Sequence, residues 1–473
     1  MTSTPVRIPT VGTAPGAVPL LGHALTLLRD PLRFLRSLPA HGELVAIRLG
    51  LQRAYVLCTP ELTHHVLTDD RTFDKGGPMV DRTRDALGNG LPTCPRSQHR
   101  GQRRLIQPAF TAARLADYAS IMEREVRAIT DRWQTGKPID VLADMQVLTG
   151  RILVATMFAG ISDRRTTEIL DILKAIQDGF LLRIALPAWA QRLPVPALRR
   201  SQRARTRLRA LVGDIIDHRR ATPDGQSHRD LLSTFLAPSD GATDGTSGLT
   251  KDEITDQCLN FFFAGTETTA SLLAWSLHLL AQHPEVERQL HTETDQVLND
   301  RVASLKDLPR LEVTGRILTE TLRLYPAGWL ITRTVTRDTE LAGQPLAAGT
   351  PLVYSPYLIH HHLGHYPDPE RFAPDRWRDI PGPPSRQPAF VPFGGGARKC
   401  IGDQYGITEA TLALASITAR WQLRPAPGVH VRSNAGISLA PRGLRMIATP
   451  RTTASALDHA SLSKADADRP LNY

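Results

Sequence analysis

Phe393-Gly394-Gly395-Gly396-Ala397-Arg398-Lys399-Cys400-Ile401-Gly402 runs directly into a helix-like segment from Asp403 to Trp421. A cysteine held among glycines at the mouth of a helix has its thiolate favoured by the helix dipole and, at this spacing, by Arg398 and Lys399. Such a sulfur is a candidate ligand or nucleophile. Gly394, Gly395 and Gly396 let the backbone pass close to a flat partner and take positive φ where a side chain would clash. Phe393 adds an apolar wall and Arg398 a fixed cation. A lone cysteine in a Gly-rich turn is usually a buried structural residue, so the reading depends on what the rest of the chain supplies.

Two further clusters supply it. Ala264-Gly265-Thr266-Glu267-Thr268-Thr269 lies in an apolar helix expected from about Asp252 to Gln282. Ala264 and Thr268 are one turn apart and share a face. The Thr268 hydroxyl can bond back to the carbonyl four residues earlier and bend the helix, opening a groove. Glu267 is an acid in an otherwise apolar run, and an alcohol beside a carboxylate can relay protons into a site that excludes bulk water. Glu320-Thr321-Leu322-Arg323 places an acid and a base at i, i+3, where they can pair on one helix face.

A thiolate, an aromatic and an arginine this closely spaced suit a haem: the iron takes sulfur, the ring takes the phenyl, and the propionates take guanidinium. The decamer resembles the cytochrome P-450 haem-binding signature at every defined position, and Ala264 to Thr269 resembles that family's oxygen-activating helix. The resemblance covers the chain from about Pro15 to Pro450. It implies a mainly α fold with a minor antiparallel β region, the cytochrome P-450 fold, with haem b between the Thr268 helix and the Cys400 helix. It implies Cys400 as the metal ligand, with Phe393, Gly396, Arg398 and Gly402 around it and Ala264 above. It also implies Thr268 as the hydroxyl donor to bound oxygen and Glu267 as the acid feeding it. His99 and Arg103, in a basic helix expected from Ser97 to Phe110, and Arg333 resemble the family's propionate anchors. Glu320 and Arg323 are then expected to be buried and joined by a second arginine. Arg371 and Arg376 compete for that place, and register from the cysteine favours Arg376.

Composition fits this reading. With 473 residues, 41% hydrophobic and 22% charged, the chain has the make-up of a folded protein with a sizeable core. Cys58, Cys94, Cys258 and Cys400 are too few and too scattered for a disulfide framework, so the cytoplasm is the expected compartment. The apolar patch from Ala17 to Leu28 is short and interrupted by Pro19 and His23, so no integral membrane anchor is expected. The net charge of +10 favours acidic partners. The arginines are spread out without a nucleic-acid motif, which argues against nucleic acid. His360, His361, His362 and His365 carry no fixed zinc spacing and read as structural or solvated.

Along the chain we expect a Pro-rich arm over 1–30, a single domain over 31–450 and a polar, disordered tail over 451–473. Within the domain, a helix from Pro31 to Leu38 precedes strands at Leu44–Leu49 and Ala54–Cys58, and residues 110 to 300 read as helical. Pro187, Pro194 and Pro196 break the segment from Leu186 to Leu198, which resembles the family's mobile cover over the substrate. Ala237 to Gly248 reads as a loop. Strands are expected at Leu341–Pro345 and Pro351–Tyr354, then an irregular stretch from Pro356 to Pro392.

The implied activity is a haem-thiolate monooxygenase that inserts one oxygen atom from O2 into a small apolar substrate. No flavin or iron–sulfur segment follows in the sequence, so electrons are expected from a ferredoxin or flavodoxin with an NAD(P)H-dependent reductase. Arg100, Arg103, Arg104, Arg114, Arg398 and Lys399 are the candidates to steer it. A peroxide-driven enzyme would not need the Glu267–Thr268 pair, a haem isomerase would consume no dioxygen, and a haem sensor would form no product. Expected cavity walls are Phe73 to Thr93, Phe180 to Ala190, Asn260 to Ala264, Ala327 to Ile331 and Asn434 to Ile437. The general look of the chain resembles actinobacterial secondary-metabolite oxygenases that act on sesquiterpenes such as pentalenene; fatty acids, steroids and macrolides are the alternatives.

Overall fold

Helix Lys251–Gln282 is the axis on which the other elements are placed. Its start is a reciprocal cap: Glu253 N donates to Thr250 Oγ1 (3.2 Å) and Thr250 N donates to Glu253 Oε2 (2.9 Å). His283 and Pro284 end it. From Thr269 to Leu280 every residue is buried, as in a helix packed on all sides rather than along one stripe. Its neighbours are helices Val141–Met157, Pro196–Ala221, Glu312–Leu324 and Asp403–Arg420. The computed structural model describes residues 11–186, 195–221, 229–237 and 248–451. Residues 187–194 of the cover segment expected from Leu186 to Leu198, most of the loop expected at Ala237 to Gly248, and the tail beyond Arg451 therefore lie outside the described residues, while Pro196 to Leu198 open helix Pro196–Ala221.

The β portion flanks this helical body. A six-stranded sheet runs in the order Val11–Thr13, Leu44–Leu49, Gln52–Leu57, Pro351–Tyr354, Ile331–Val335 and Phe73–Asp74. Its pairings are antiparallel except those of Val11–Thr13 with Leu44–Leu49 and of Gln52–Leu57 with Pro351–Tyr354. The expected strand from Leu341 to Pro345 is instead a hairpin, Thr339–Leu341 against Gln344–Leu346. Ala342 (φ 54°) and Gly343 (φ 78°) turn the chain between the two strands. A second hairpin, Arg432–Ala435 with Leu439–Arg442, lies on the long helix, where Trp275 Nε1 donates to Leu439 O at 2.9 Å.

The stretch after Pro356 is less irregular than expected. Ser355 caps a short helix, Pro356–His360, by accepting from Leu358 N. This places His360 fully buried, with Nδ1 bonded to Arg323 O (3.2 Å) and Nε2 accepting from Val391 N (2.9 Å). Burial pushes its pKa down to about 3, so the ring is a neutral strut. The four neighbouring histidines form no metal-binding group among the described residues.

The Glu320–Arg323 pair is fully buried. Arg323 Nε and Nη2 each donate to a Glu320 carboxylate oxygen at 2.9 Å. The same carboxylate accepts from Arg376 Nε (3.0 Å), Trp377 Nε1 (2.8 Å) and Ala373 N (3.0 Å). Arg376 is therefore the second arginine; Arg371 contributes its backbone carbonyl to Arg323. Through His360 this network reaches Val391, two residues before Phe393, and so supports the cysteine loop.

Candidate active site

The cysteine loop is shaped by two left-handed glycines. Gly394 has φ 67° and Gly396 φ 62°, and a Cβ on Gly396 would stand 2.0 Å from Leu67 O. Cys400 N donates to Phe393 O at 2.9 Å, closing the loop before helix Asp403–Arg420 begins at Gly402. Phe393, Gly394, Cys400 and Gly402 line one internal cavity together with Ala264, Gly265 and Thr268 of the long helix. The Cys400 surface is open to this cavity while the residue sits deep in the protein.

The thiol differs from expectation. Burial pushes its pKa up; the Gly402 amide, Lys75 and Arg103 oppose that shift. The two cations expected to favour the thiolate are spent elsewhere. Arg398 donates to Asp74 and to Cys94 O (3.0 Å), and Lys399 pairs with Asp403 at 2.6 Å. A thiolate here needs a positive partner at the sulfur.

Positive charge collects beside the cavity. Lys75, His99, Arg103, Arg333 and Arg398 all line it. Asp74 is the carboxylate among them, and it is already committed to Arg398 and to Arg96 N. Lys75 has its pKa lowered to about 7 by burial and by repulsion from Arg333 and Arg398. His99 is pushed down to about 3 by burial, Arg398, Lys75 and Arg103. Arg398 Nε is buried with no partner among the described residues, and Arg333, 2% exposed, stacks its guanidinium 5.4 Å from the Tyr354 ring centroid. Arg333 and Arg398 are cations buried in this wall with Asp74 as their neighbouring carboxylate, and together with the hydrogen-bonding ends of Lys75, His99 and Arg103 they suit further anionic groups placed among them. A haem, with an apolar macrocycle, two carboxylates and an iron for the sulfur, matches that demand. Arg103 also braces the loop by donating to Lys399 O (2.6 Å) and Ala397 O (3.3 Å).

Thr268 Oγ1 donates to Ala264 O at 2.8 Å, the back-bond expected from sequence. Glu267 lies elsewhere. Its carboxylate accepts from Ser438 Oγ (3.0 Å) and lines a separate cleft of about 380 Å³ with Gln177, Thr266 and Asn434. Glu267 Oε2 is buried without a partner among the described residues, and burial raises the pKa of the carboxyl against the opposing hydrogen bonds from Ser438. Ser438 also meets Ser271 Oγ at 2.9 Å. The hairpin stretch Asn434–Ile437, expected on the main cavity, belongs to this cleft instead. Phe180 packs against Phe263, with ring centroids 4.4 Å apart. The other three expected stretches do reach the main cavity, through Lys75, Leu91 and Pro92, through Asn260, Phe261 and Ala264, and through Ala327, Gly328 and Ile331.

Sequence reasoning did not single out Lys75, Tyr354 or Ser438. A lone lysine after a two-residue strand and a serine in a hairpin carry no local signature. A second buried acid was also missed: Glu409, 1% exposed, bonds Thr269 and has its pKa raised well above the usual carboxylate range by burial.

Comparison with known proteins agrees with this geometry. The family profile described as Cytochrome P450 matches residues 13–447. Cyclooctat-9-en-7-ol 5-monooxygenase of Streptomyces melanosporofaciens is 44% identical over 449 residues, covering 94% of this chain and 97% of that protein. Pentalenene oxygenase of Streptomyces avermitilis is 44% identical over 447 residues, covering 93% and 98%. The crystal structure of the cytochrome P450DA haem domain superposes with a TM-score of 0.83 at 26% identity, covering 94% of this chain and 99% of that one.

Proposed function

The chain belongs to the cytochrome P450 family and is a haem-thiolate monooxygenase, and we propose that it oxidises a compact cyclic terpenoid in secondary metabolism. The single observation that carries the site assignment is one sulfur, Cys400, on an apolar cavity that also presents Thr268 and a cluster of basic side chains. On this reading Cys400 ligates the iron, and Lys75, His99, Arg103, Arg333 and Arg398 hold the propionates. Phe393, Gly396 and Gly402 shape the sulfur's surroundings. When bound, the haem supplies dioxygen activation and delivery of one oxygen atom to the substrate.

The chain's own part is positioning and proton control. Thr268 commits its proton to Ala264 O, so its oxygen lone pairs are left to accept a hydrogen bond on the cavity side. Glu267, whose carboxyl pKa is raised by burial, is the acid behind the same helix, with Ser438 fixing its carboxyl. Leu91, Leu153, Phe261, Leu272 and Ile331 exclude water and give the substrate apolar contacts. Charged lining is confined to the cationic cluster and Lys399, which supports a substrate without charges of its own.

The match across residues 13–447 supports one catalytic unit over 31–450. No helix among the described residues is long and apolar enough to cross a membrane. Electrons are proposed to come from an acidic ferredoxin or flavodoxin reduced by an NAD(P)H-dependent reductase. Helix Arg96–Ile106 rests on the cysteine loop through Arg103, and its Arg100 and Arg104 are exposed, without partners among the described residues. Arg114 and Lys399 are paired with Asp117 and Asp403, Arg103 is turned onto the cysteine loop and Arg398 is buried, which narrows the candidate docking cations to Arg100 and Arg104.

The test is spectral titration of the ferric protein with cyclic terpenoids, steroids and fatty acids, following the low-spin to high-spin shift. Terpenoids are expected to shift the spectrum most tightly. A fatty acid or steroid that shifts it while no cyclic terpenoid does refutes the substrate reading and leaves the family assignment standing.

A further inference from the structure

Asn260 lies one helical turn before Ala264 and two before Thr268, so the three share a face of helix Lys251–Gln282 and all line the cavity. Its amide orientation is fixed by its surroundings. Nδ2 donates to Leu87 O (3.0 Å) and to Asp256 O (2.8 Å), two carbonyls that could not accept from the other end of the amide. Gly90 leaves room for this arrangement, since a Cβ there would stand 2.5 Å from Asn260 Nδ2. Both amide protons are thus spent, one on the last residue of helix Pro78–Leu87 and one on the preceding turn of its own helix, and Oδ1 receives no hydrogen bond from the described residues.

Of the other uncharged polar side chains on the wall, Thr269 bonds Glu409, Tyr405 meets Thr156 Oγ1 at 3.2 Å and Tyr354 bonds Arg333, while Thr268 gives its proton to Ala264 O and keeps acceptor capacity only, two turns from Asn260. An acceptor left over on an otherwise apolar wall, and rigidly aimed, is costly unless a ligand or a water meets it. Leu91, Pro92 and Phe261 beside it offer no donor side chain.

We propose that Asn260 Oδ1 accepts a hydrogen bond from a hydroxyl already present on the substrate, making Asn260 a specificity-determining residue for terpenoid alcohols over terpene hydrocarbons. The proposal rests on the terpenoid reading and narrows it. Two turns separate Asn260 from Thr268, ~12 Å along the axis, and a polycyclic terpenoid alcohol held at Asn260 extends along that face toward Thr268. The enzyme then acts after the step that installs the first hydroxyl, either a cyclisation terminated by water or an earlier hydroxylation.

Two measurements test this. In the first, wild-type ferric enzyme is titrated with matched sets of alcohol, methyl ether and parent hydrocarbon, for example cedrol, cedryl methyl ether and cedrane together with diterpene analogues. At least one alcohol is expected to bind roughly tenfold tighter than both its ether and its hydrocarbon, because neither can donate to the fixed acceptor. In the second, Asn260→Leu, checked for an intact carbon monoxide band, is expected to lose that preference while binding the hydrocarbon at least as well. Hydrocarbons binding as tightly as their alcohols throughout, or an alcohol preference that survives in Asn260→Leu, overturns the Asn260 proposal alone. No spin shift with any terpenoid overturns the terpenoid reading and this proposal with it.

Discussion

Replacing Glu320 with alanine should cost the protein its haem although Glu320 touches no part of the cavity. Glu320 is fully buried and accepts five hydrogen bonds: two from Arg323 and one each from Arg376, Trp377 and Ala373 N. Alanine leaves the Arg323 guanidinium buried without a counter-ion. It keeps only three carbonyl partners, His360 O, Pro369 O and Arg371 O. Breaking a buried pair by removing one partner costs ~3–5 kcal/mol. That is a large share of a total stability of ~5–15 kcal/mol. The damage has a route to the site, because His360 ties Arg323 O to Val391 N just ahead of the cysteine loop. The expected outcome is a chain that retains helical circular dichroism, unfolds at lower denaturant and shows no thiolate-type Soret band with carbon monoxide after reduction. Trp377→Phe is the comparison: it removes one bond to the carboxylate, should cost ~1.5–3 kcal/mol, and should keep its haem. Normal haem content and stability in Glu320→Ala would refute the idea that this network supports the loop.

Three further outcomes are expected. Gly396→Ala forces a left-handed φ on a residue with a Cβ and drives that Cβ against Leu67 O, so the loop must shift; haem content should fall while far-ultraviolet circular dichroism stays near wild type. Because burial raises the Glu267 pKa above its unfolded value, wild-type stability should decline as pH rises beyond the ordinary carboxylate range. Glu267→Gln should therefore gain a stability advantage as pH rises above the ordinary carboxylate range, read by denaturant titration, while coupling of electrons to product worsens; a pH-independent difference would contradict the upward shift of this carboxyl. Reversing Arg100 and Arg104 to glutamate should slow carrier-supported turnover by tenfold or more at low ionic strength and converge on wild type in high salt, with substrate spin-shift affinity unchanged. Insensitivity to both salt and reversal would remove this face as the docking site.

Much of this protein is written locally in its chain. The decamer ending at Gly402, the Ala264 to Thr269 run and the Glu320–Arg323 pair each place their chemistry within one loop or one helical turn, where spacing alone dictates who meets whom. The Thr268 back-bond to Ala264 O and the Arg323–Glu320 pair are contacts of that kind. Register in the stretch before the cysteine was enough to prefer Arg376 over Arg371. Packing decided the rest, because it joins residues far apart in sequence. Arg398 reaches Asp74 across 324 positions, and Ser438 reaches Glu267 across 171, which turns that acid toward its own cleft. Lys75 among the cations, the raised Cys400 thiol and the unmet Asn260 oxygen follow from the same cause. Burial and the company of distant charges set these properties, and neither is encoded in any short stretch of residues.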